Sequence, residues 1–389
     1  MQHARRVVRG ALWIAAVAGV LAAVARPHVQ RSAQEALADF LVVLAPGTDP
    51  AEVPGTATAL AQRVGGAVHQ TYTGGLLGFA ATLTTSAATR LATDPAVAYV
   101  TPDGDVFASS TDTAPPSWGL DRVDQRGRNL SGGYAYPATG GAGVTVYVLD
   151  SGIRIGHRDF GGRARYGWDF IGDDAKADDC NGHGTHVAGT VGGSRYGVAK
   201  RVRLVAVRVL DCNGKGSYAQ IIAGINWITT HAARPAVVNM SIEGPPSRVL
   251  DDAVRRAVAA GITFVVAAGN ASRDACKYSP AREPSALTVG ATDRNDRRAG
   301  FSNYGRCLDL FAPGQAIVSD WDSGSNAHRV MSGTSMAAPH VAGAAALLLA
   351  AHRTWQPASV RVALLRAASR NKVSAVGKRS PNLLLCTCR

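Results

Sequence analysis

Aromatic residues are scarce in this chain, at 6% of its 389 residues, whereas glycine is plentiful, with 43 copies. Few aromatics and many tight turns favour an α/β protein over a helical bundle. The formal net charge is +13, but no basic run is interleaved with aromatic side chains. A dispersed positive charge argues against nucleic-acid binding, the leading alternative outside the enzymes, and indicates a general property of the surface.

Apolar runs of nearly membrane length are missing after the N-terminus. Residues 1–25 combine a basic head, an apolar stretch of about 15 residues and a small-x-small ending, which predicts a secretory signal peptide. A membrane anchor is the alternative, but the run is short for a complete span. We therefore expect a secreted, extracellular mature protein that is soluble and not bound to a membrane.

Close cysteine pairs of the CxxC kind are missing from the interior of the chain, so a zinc site is not expected. Four cysteines lie there, at Cys180, Cys212, Cys276 and Cys307. In an exported protein these residues favour disulfides. Cys386 and Cys388 form "CTC" at the end of the chain, where a mutual bridge would be strained, and the sequence leaves their state open.

The chain after the signal divides into three parts by pattern. Residues 36–108 alternate strand-like and helix-like segments and predict a small α/β domain, and residues 109–117, "SSTDTAPPS", predict an exposed linker. Residues 118–385 alternate continuous apolar strands, such as "VTVYVLD", with helical segments. Such strands are buried on both faces, which predicts a doubly wound, mainly parallel sheet flanked by helices. A site is expected at the carboxyl ends of its strands.

Chemically capable side chains stand at those strand ends and at helix starts. Asp150 ends "VTVYVLD", and Asn270 ends "ITFVVAAGN". His183 lies between two glycines before a helix, and Ser335 precedes the apolar helix "VAGAAALLLA". Each residue alone has an ordinary structural role, such as a helix cap for Ser335. An acid, a base, an amide and a hydroxyl at one edge of a sheet together predict nucleophilic catalysis.

The segments "VLDSG", "NGHGTHVAG", "VVNMSI", "VVAAGN" and "SGTSMAAPHVAG" occur in this order and strongly resemble those of the subtilisin-like serine peptidases. "YGVAKRVRLVAVRVLDCNG" and "FSNYGRCLDLFAPG" are similar to the proteinase K branch and its aqualysin-like members. The resemblance implies a serine endopeptidase in which Asp150 orients His183, and His183 takes the proton of Ser335. It implies an oxyanion hole made by the Asn270 side chain and the Ser335 backbone. We expect the Ser335 hydroxyl within hydrogen-bonding distance of a His183 ring nitrogen.

The same resemblance implies a precursor. Residues 36–108 resemble the inhibitor-type propeptide of these enzymes, which assists folding and then caps the cleft. The mature chain, expected to be a monomer, should begin near Thr111. In the aqualysin-like relatives the equivalent cysteines are bridged as Cys180–Cys212 and Cys276–Cys307.

Substrate is expected to lie extended between two edge segments as an additional strand. By resemblance, the residues of the first segment are Gly214, Lys215, Gly216 and Tyr218. Those of the second are Ser241, Ile242, Glu243 and Gly244. The family usually has glycine where Glu243 stands. A carboxylate on the wall of the primary pocket could favour basic residues, narrow the pocket or point to solvent, and the sequence does not choose among these.

Structural calcium is the expected cofactor, without a catalytic metal. The residues that resemble a first site, through two carbonyls and a carboxylate, are Pro284, Ala286 and Asp309. Those that resemble a second site are Asp121, Asp124 and Gln125, with Gly132 in place of a later ligand. The run "GDDAKADDC" is expected to be an acidic surface loop rather than another ion site.

Two further functions remain compatible with the sequence. A binding module would keep the fold and lose turnover, and only Glu243 speaks for it. A hydrolase of esters would use the same acyl chemistry.

Overall fold

The computed structural model of the chain describes residues 35–108, 111–112 and 117–388. The predicted signal peptide, residues 1–25, lies outside the described residues. Of the predicted linker, only residues 111, 112 and 117 are described.

The first part of the described chain forms a four-stranded antiparallel sheet in the order β2-β3-β1-β4. Its elements are β1 (Leu37–Leu44), α1 (Val53–Val64), β2 (Ala67–Thr73), β3 (Leu77–Thr84), α2 (Thr85–Leu91) and β4 (Val97–Pro102). Side chains alternate between the two faces of a strand. Phe40 and Val42 therefore pack under α1 and α2, while Leu41 and Val43 join the core of the larger domain.

Two short strands continue this part toward the larger domain, β5 (Asp105–Ala108) and β6 (Thr111–Asp112). The larger domain begins with α3 (Gly119–Val123), β7 (Thr145–Asp150), β8 (Ala164–Asp169), α4 (His183–Gly192), β9 (Arg203–Arg208), β10 (Lys215–Ser217) and α5 (Tyr218–His231). It continues with β11 (Ala236–Met240), β12 (Ile242–Glu243), α6 (Arg248–Ala259), β13 (Thr263–Ala267) and β14 (Leu287–Thr292). It ends with β15 (Leu310–Pro313), β16 (Ile317–Asp320), β17 (His328–Ser332), α7 (Thr334–Ala351), α8 (Pro357–Ala367), β18 (Ser369–Arg370) and β19 (Leu383–Leu384).

The central sheet has nine strands in the order β18-β19-β15-β14-β13-β11-β7-β9-β8. Its pairs are parallel except for β18 with β19. Strand β7 is buried on both faces, since Val146 and Val148 pack with α4 and α7, whereas Tyr147 and Leu149 pack with α5 and α6. This explains its continuous apolar sequence. The predicted α/β class with a mainly parallel sheet is confirmed.

Helix α7 begins directly before Ser335 and crosses the core. Among the described residues it is the one helix that is long and apolar enough to span a membrane, and 83% of that stretch is buried within the fold. Its apolar composition therefore reflects its position between the sheet and α4.

Part of the predicted linker forms a short strand. Strand β6 pairs with β17, where Thr111 lies opposite Ser332 and Asp112 opposite Met331. In this three-stranded sheet, β17 lies between β16 and β6, so β6 is an edge strand.

All six cysteines form disulfides. Cys180 is bonded to Cys212, and Cys276 is bonded to Cys307. The terminal "CTC" is closed by a bond between Cys386 and Cys388.

Candidate active site

Asp150 and His183 form a buried pair at the carboxyl end of β7. The Nδ1 atom of His183 lies 2.7 Å from Oδ1 of Asp150, and both side chains are nearly inaccessible to solvent. Burial lowers the pKa of His183, but the Asp150 carboxylate and the more distant Asp179 outweigh it, so that the pKa is raised overall. Nε2 of His183 has no hydrogen-bond partner among the described residues. This ring is oriented by a carboxylate at one nitrogen and can accept a proton at the other.

His186 stands one turn further along α4 and has a different environment. Its Nε2 atom lies 3.1 Å from the carbonyl oxygens of Ile317 and Arg329. Burial and the neighbouring His183 lower its pKa to about 3. His186 is therefore a neutral core residue, and His183 is the histidine placed for acid–base chemistry.

Asp179 organises the start of α4 and was missed by sequence reasoning, which assigned it to an acidic surface loop. Its Oδ1 atom accepts hydrogen bonds from the backbone of Asn181 and Gly182 and from the Ser151 hydroxyl. Its Oδ2 atom accepts from the backbone and hydroxyl of Thr185. Removal from water raises the pKa of Asp179. The signal for this role was an aspartate shortly before a helix, since such carboxylates cap helix N-termini.

Ser335 lies in the first turn of α7, beside the residue that follows β11. Its hydroxyl donates to the carbonyl oxygen of Ser241 at 3.2 Å, and the Ser241 hydroxyl donates to the Ser335 carbonyl oxygen at 2.9 Å. The expected hydrogen bond from Ser335 to His183 is not formed, because the hydroxyl is turned toward Ser241. Helices α4 and α7, which carry His183 and Ser335, pack against each other.

Asn270 is fixed by the residue before Ser335. Its Oδ1 atom accepts hydrogen bonds from the backbone of Thr334 at 2.8 Å and from the Thr334 hydroxyl at 3.2 Å. The Thr334 hydroxyl also accepts from the backbone of Gly269 at 3.0 Å. These contacts hold the carbonyl end of the Asn270 amide against Thr334 and turn its Nδ2 end away from that residue.

The two predicted substrate segments enclose a strand of the chain itself. Strand β5 lies between β10 and β12 and pairs with both in the antiparallel sense. Within the first segment, Lys215 and Gly216 are in β10, Gly214 lies in the turn before it and Tyr218 begins α5. Within the second, Ile242 and Glu243 form β12, between Ser241 and Gly244.

Glu243 turns back toward the sheet edge instead of pointing to solvent. Its Oε2 and Oε1 atoms lie 3.0 and 3.2 Å from the backbone nitrogen of Asn270, which donates to them. Its carboxylate thus connects the end of β12 to the loop that follows β13.

The residues predicted for the first calcium site do not fit an ion in this structure, because a cation of the chain already binds them. The Arg361 guanidinium donates to the carbonyl oxygens of Pro284 and Ala286, the latter at 3.2 Å. It also donates to the Asp309 carboxylate. Burial raises the pKa of Asp309 to about 6, although Arg361 and the backbone of Thr288 act to lower it. Sequence reasoning missed Arg361, whose guanidinium contacts the predicted calcium ligands Pro284, Ala286 and Asp309.

The residues predicted for the second site fit a cation better. Asp121 accepts hydrogen bonds from the backbone of Ser131 at 2.8 Å and of Gly132 at 2.6 Å. Asp124 accepts from the backbone of Ala135 through Oδ2, whereas its buried Oδ1 atom has no partner among the described residues. The Gln125 amide donates to Asn129 and Gly127. A carboxylate oxygen without a donor, next to a second carboxylate, is the chemistry that calcium requires.

Comparisons with known proteins cover both parts of the chain. The Subtilase family matches residues 141–381, and the Peptidase inhibitor I9 family matches residues 25–109. An extracellular serine proteinase of Thermus sp. (strain Rt41A) is 55% identical over 323 residues, which are 83% of this chain and 78% of that protein. The alkaline serine exoprotease A of Vibrio alginolyticus is 46% identical over 79% of this chain and 58% of its own length.

A solved structure extends the likeness to the fold. The crystal structure of a cold adapted subtilisin-like serine proteinase is 49% identical, has a TM-score of 0.68, and covers 70% of this chain and 99% of the other. The matched families, the identities and the shared fold agree with one another. The chain therefore belongs to the subtilase family and is a serine endopeptidase preceded by an inhibitor I9 domain.

Proposed function

We propose that Asp150, His183 and Ser335 are the catalytic triad of this peptidase. Ser335 Oγ bonds to the carbonyl carbon of the substrate while His183 Nε2 takes its proton. The same proton then passes to the leaving amine as the peptide C–N bond breaks, which leaves an acyl-enzyme. A water molecule then attacks the acyl-enzyme in the same way, with His183 taking its proton and returning it to Ser335, and the carboxylic acid product is released. Asp150 holds the imidazole in the required tautomer and stabilises its charged form.

The observation that carries this proposal is the buried Asp150–His183 pair. Its hydrogen bond of 2.7 Å leaves Nε2 of His183 without a partner among the described residues, on the helix that packs beside the one bearing Ser335. For transfer, the Ser335 hydroxyl turns from Ser241 to that nitrogen. The Asn270 Nδ2 amide and the Ser335 backbone amide meet the oxyanion, and losing one such donor costs about 3 kcal/mol.

The enzyme is further proposed to be a secreted, monomeric precursor that processes itself. Supporting this, β5 ends at Ala108 between the two substrate segments, and β6 begins at Thr111 on β17. The bond to be cut then lies between Ala108 and Thr111, and the mature chain begins near Thr111. The similarity to the extracellular serine proteinase of Thermus and the apolar N-terminal segment support secretion.

Structural calcium is proposed at Asp121 and Asp124, with Gln125 beside them. When bound, the ion would neutralise the two carboxylates and hold the loop that follows α3. The unpartnered Asp124 Oδ1 atom supports this assignment. No step of the reaction passes through the ion.

The test compares the precursor with its Ser335→Ala variant and with Ser359→Ala, which removes an exposed hydroxyl on α8. Each protein is incubated with calcium while its mass and the cleavage of a denatured protein are followed. We expect the parent and Ser359→Ala to lose the front segment near residue 111 and to digest the substrate, and Ser335→Ala to do neither. A folded parent that digests nothing after removal of its propeptide would contradict the proposal.

A further inference from the structure

The carboxylate of Glu243 occupies a specific position in the substrate cleft. Strands β11 and β13 are parallel neighbours, and the segments that follow them, residues 241–244 and 268–270, form the two sides of a gap. The Glu243 side chain extends from the first side to the second, where both of its oxygens accept from the Asn270 backbone. Its half-buried side chain therefore spans the gap.

The far side of this gap is built to receive the carboxylate. A Cβ atom on Gly269 would lie 2.1 Å from Oε2 of Glu243 and 2.3 Å from Nδ2 of Asn303, and its φ of +100° also requires glycine. Asn303 donates to the carbonyl oxygen of Ala268 at 2.9 Å and accepts from the backbone of Arg273 at 2.8 Å. The wall opposite β12 is thus held in place, and the Glu243 carboxylate lies directly against its backbone.

The path of the chain's own strand shows which substrate residue meets Glu243. Strand β5 pairs with β12 as far as Ala108, opposite Ile242, and Thr111 already pairs with Ser332 before Ser335. The bond cut in the proposed processing is therefore one of the three that join Ala108 to Thr111. A residue that places its carbonyl at the Asn270 amide stands above the gap, so its side chain has to enter the space that Glu243 crosses.

The sequence of that junction matches a narrow pocket. Residues 108–111 are Ala, Ser, Ser and Thr, so every residue available on either side of the cut is small. No Lys or Arg occurs from Thr101 to Ser117. If the Glu243 carboxylate selected basic residues, this junction would lack the residue that the pocket prefers. A pocket shortened by Glu243 accommodates the small residues of the junction.

We propose that Glu243 is a specificity-determining residue that closes the primary pocket, so that the enzyme cleaves after small side chains such as Ala, Ser and Gly. This inference rests on the proposed function and names the substrate class of that site. Large substrate side chains are excluded sterically, because the Glu243 carboxylate remains hydrogen-bonded to the Asn270 backbone. A long or aromatic side chain would have to displace this carboxylate, whose charge would then lose the Asn270 donor.

The test measures kcat/KM of the processed enzyme on peptides that differ only in the residue before the cut, which is Ala, Ser, Phe or Arg. We expect the parent to prefer Ala to Phe by about 100-fold, the upper range for steric discrimination in a pocket. Glu243→Gly should raise the Phe-to-Ala ratio at least about tenfold. Glu243→Gln keeps the length and the hydrogen bond without the charge, and should keep the ratio within about threefold.

The outcomes separate this inference from the proposed function. If the parent fails to cleave the Ala peptide, the proposed function fails. If it cleaves Ala and Phe equally well, the function stands and the closed pocket is wrong. A parent that prefers Arg, with the preference lost in Glu243→Gln, would assign a basic pocket and overturn the steric account. The parent's own profile decides these points even where Glu243→Gly folds poorly.

Discussion

Asp150 controls the pH at which His183 can accept a proton. The Asp150 carboxylate and Asp179 raise the pKa of His183 against the effect of burial. Imidazolium cannot act as a base, so activity is lost as the pH falls through this raised pKa. We expect the acidic limb of kcat/KM to lie above pH 6.5, the ordinary value for histidine.

Asp150→Asn should lower kcat by about 10⁴-fold, because the wrong tautomer of His183 then faces Ser335. It should also move the acidic limb to lower pH. Without the Asp150 charge, the lowering effect of burial on the pKa of His183 is opposed only by weaker interactions. The measurement is the pH profile of peptide cleavage for the parent, Asp150→Asn and the control Asp173→Asn, which changes an exposed carboxylate. An acidic limb that stays in place in Asp150→Asn would mean that another group sets the profile.

The sequence predicted the four principal residues of the candidate site but not the groups that hold them. Asp150 ends β7 and Asn270 follows β13 by three residues, and parallel strands bring their ends to one edge of a sheet. By contrast, Ser241 pairs with Ser335 across 94 residues of sequence, and Asp179 reaches Thr185 only once the loop between them has closed. Such hydrogen bonds depend on the folded backbone and leave no local pattern.

Helix α8 carries the largest departure from the expected site. Arg361 lies 52 residues after Asp309 along the chain, so no spacing connects them in the sequence. In the fold, one guanidinium meets the two carbonyls and the carboxylate that the resemblance assigned to calcium. Here a side chain supplies the positive charge that an ion would otherwise bring.

Arg361→Ser should therefore destabilise the enzyme and make this region sensitive to calcium. Removing Arg361 leaves the buried Asp309 carboxylate without its cation. We expect this to lower the free energy of unfolding by about 3 kcal/mol, which is the lower end of the range for a broken buried ion pair, because a third of the Arg361 side chain is exposed to water. Added calcium should then recover part of the Tm of Arg361→Ser. In Arg361→Ser/Asp309→Asn that recovery should disappear.

The comparison is made in the inactive Ser335→Ala background to prevent autolysis, with Arg366→Ser on the same helix as the control. Calcium at Asp121 and Asp124 would raise the Tm of every variant alike, so the readout is the additional rise in Arg361→Ser. An equal response to calcium in all variants would show that Arg361 does not stand in for an ion.

At the scale of the whole molecule, the front domain and the peptidase share a core and a cleft. Leu41, Val43 and Tyr72 pack with side chains of α5 and α6. At the N-terminus of α5, Asp103 accepts from the backbone of Ala219 at 3.0 Å. The next residue, Gly104, accepts from the backbone of Tyr218 at 2.9 Å. The chain enters the cleft directly after this contact, so the start of α5 positions β5 between the substrate segments.

Asp103→Ala should therefore shorten the time for which the cut propeptide inhibits the enzyme. A charged acceptor at a helix N-terminus contributes about 1.5 to 3 kcal/mol, which corresponds to about 10- to 100-fold faster release if the transition state for release has lost the contact. The measurement follows the mass of the precursor and the appearance of peptidase activity after processing, with Glu52→Ala, an exposed change in the same domain, as the control. Processing itself should proceed in all three proteins, since β5 keeps its pairing with β10 and β12. If activity appeared at the parental rate in Asp103→Ala, the shared core rather than the start of α5 would hold the inhibitor in place.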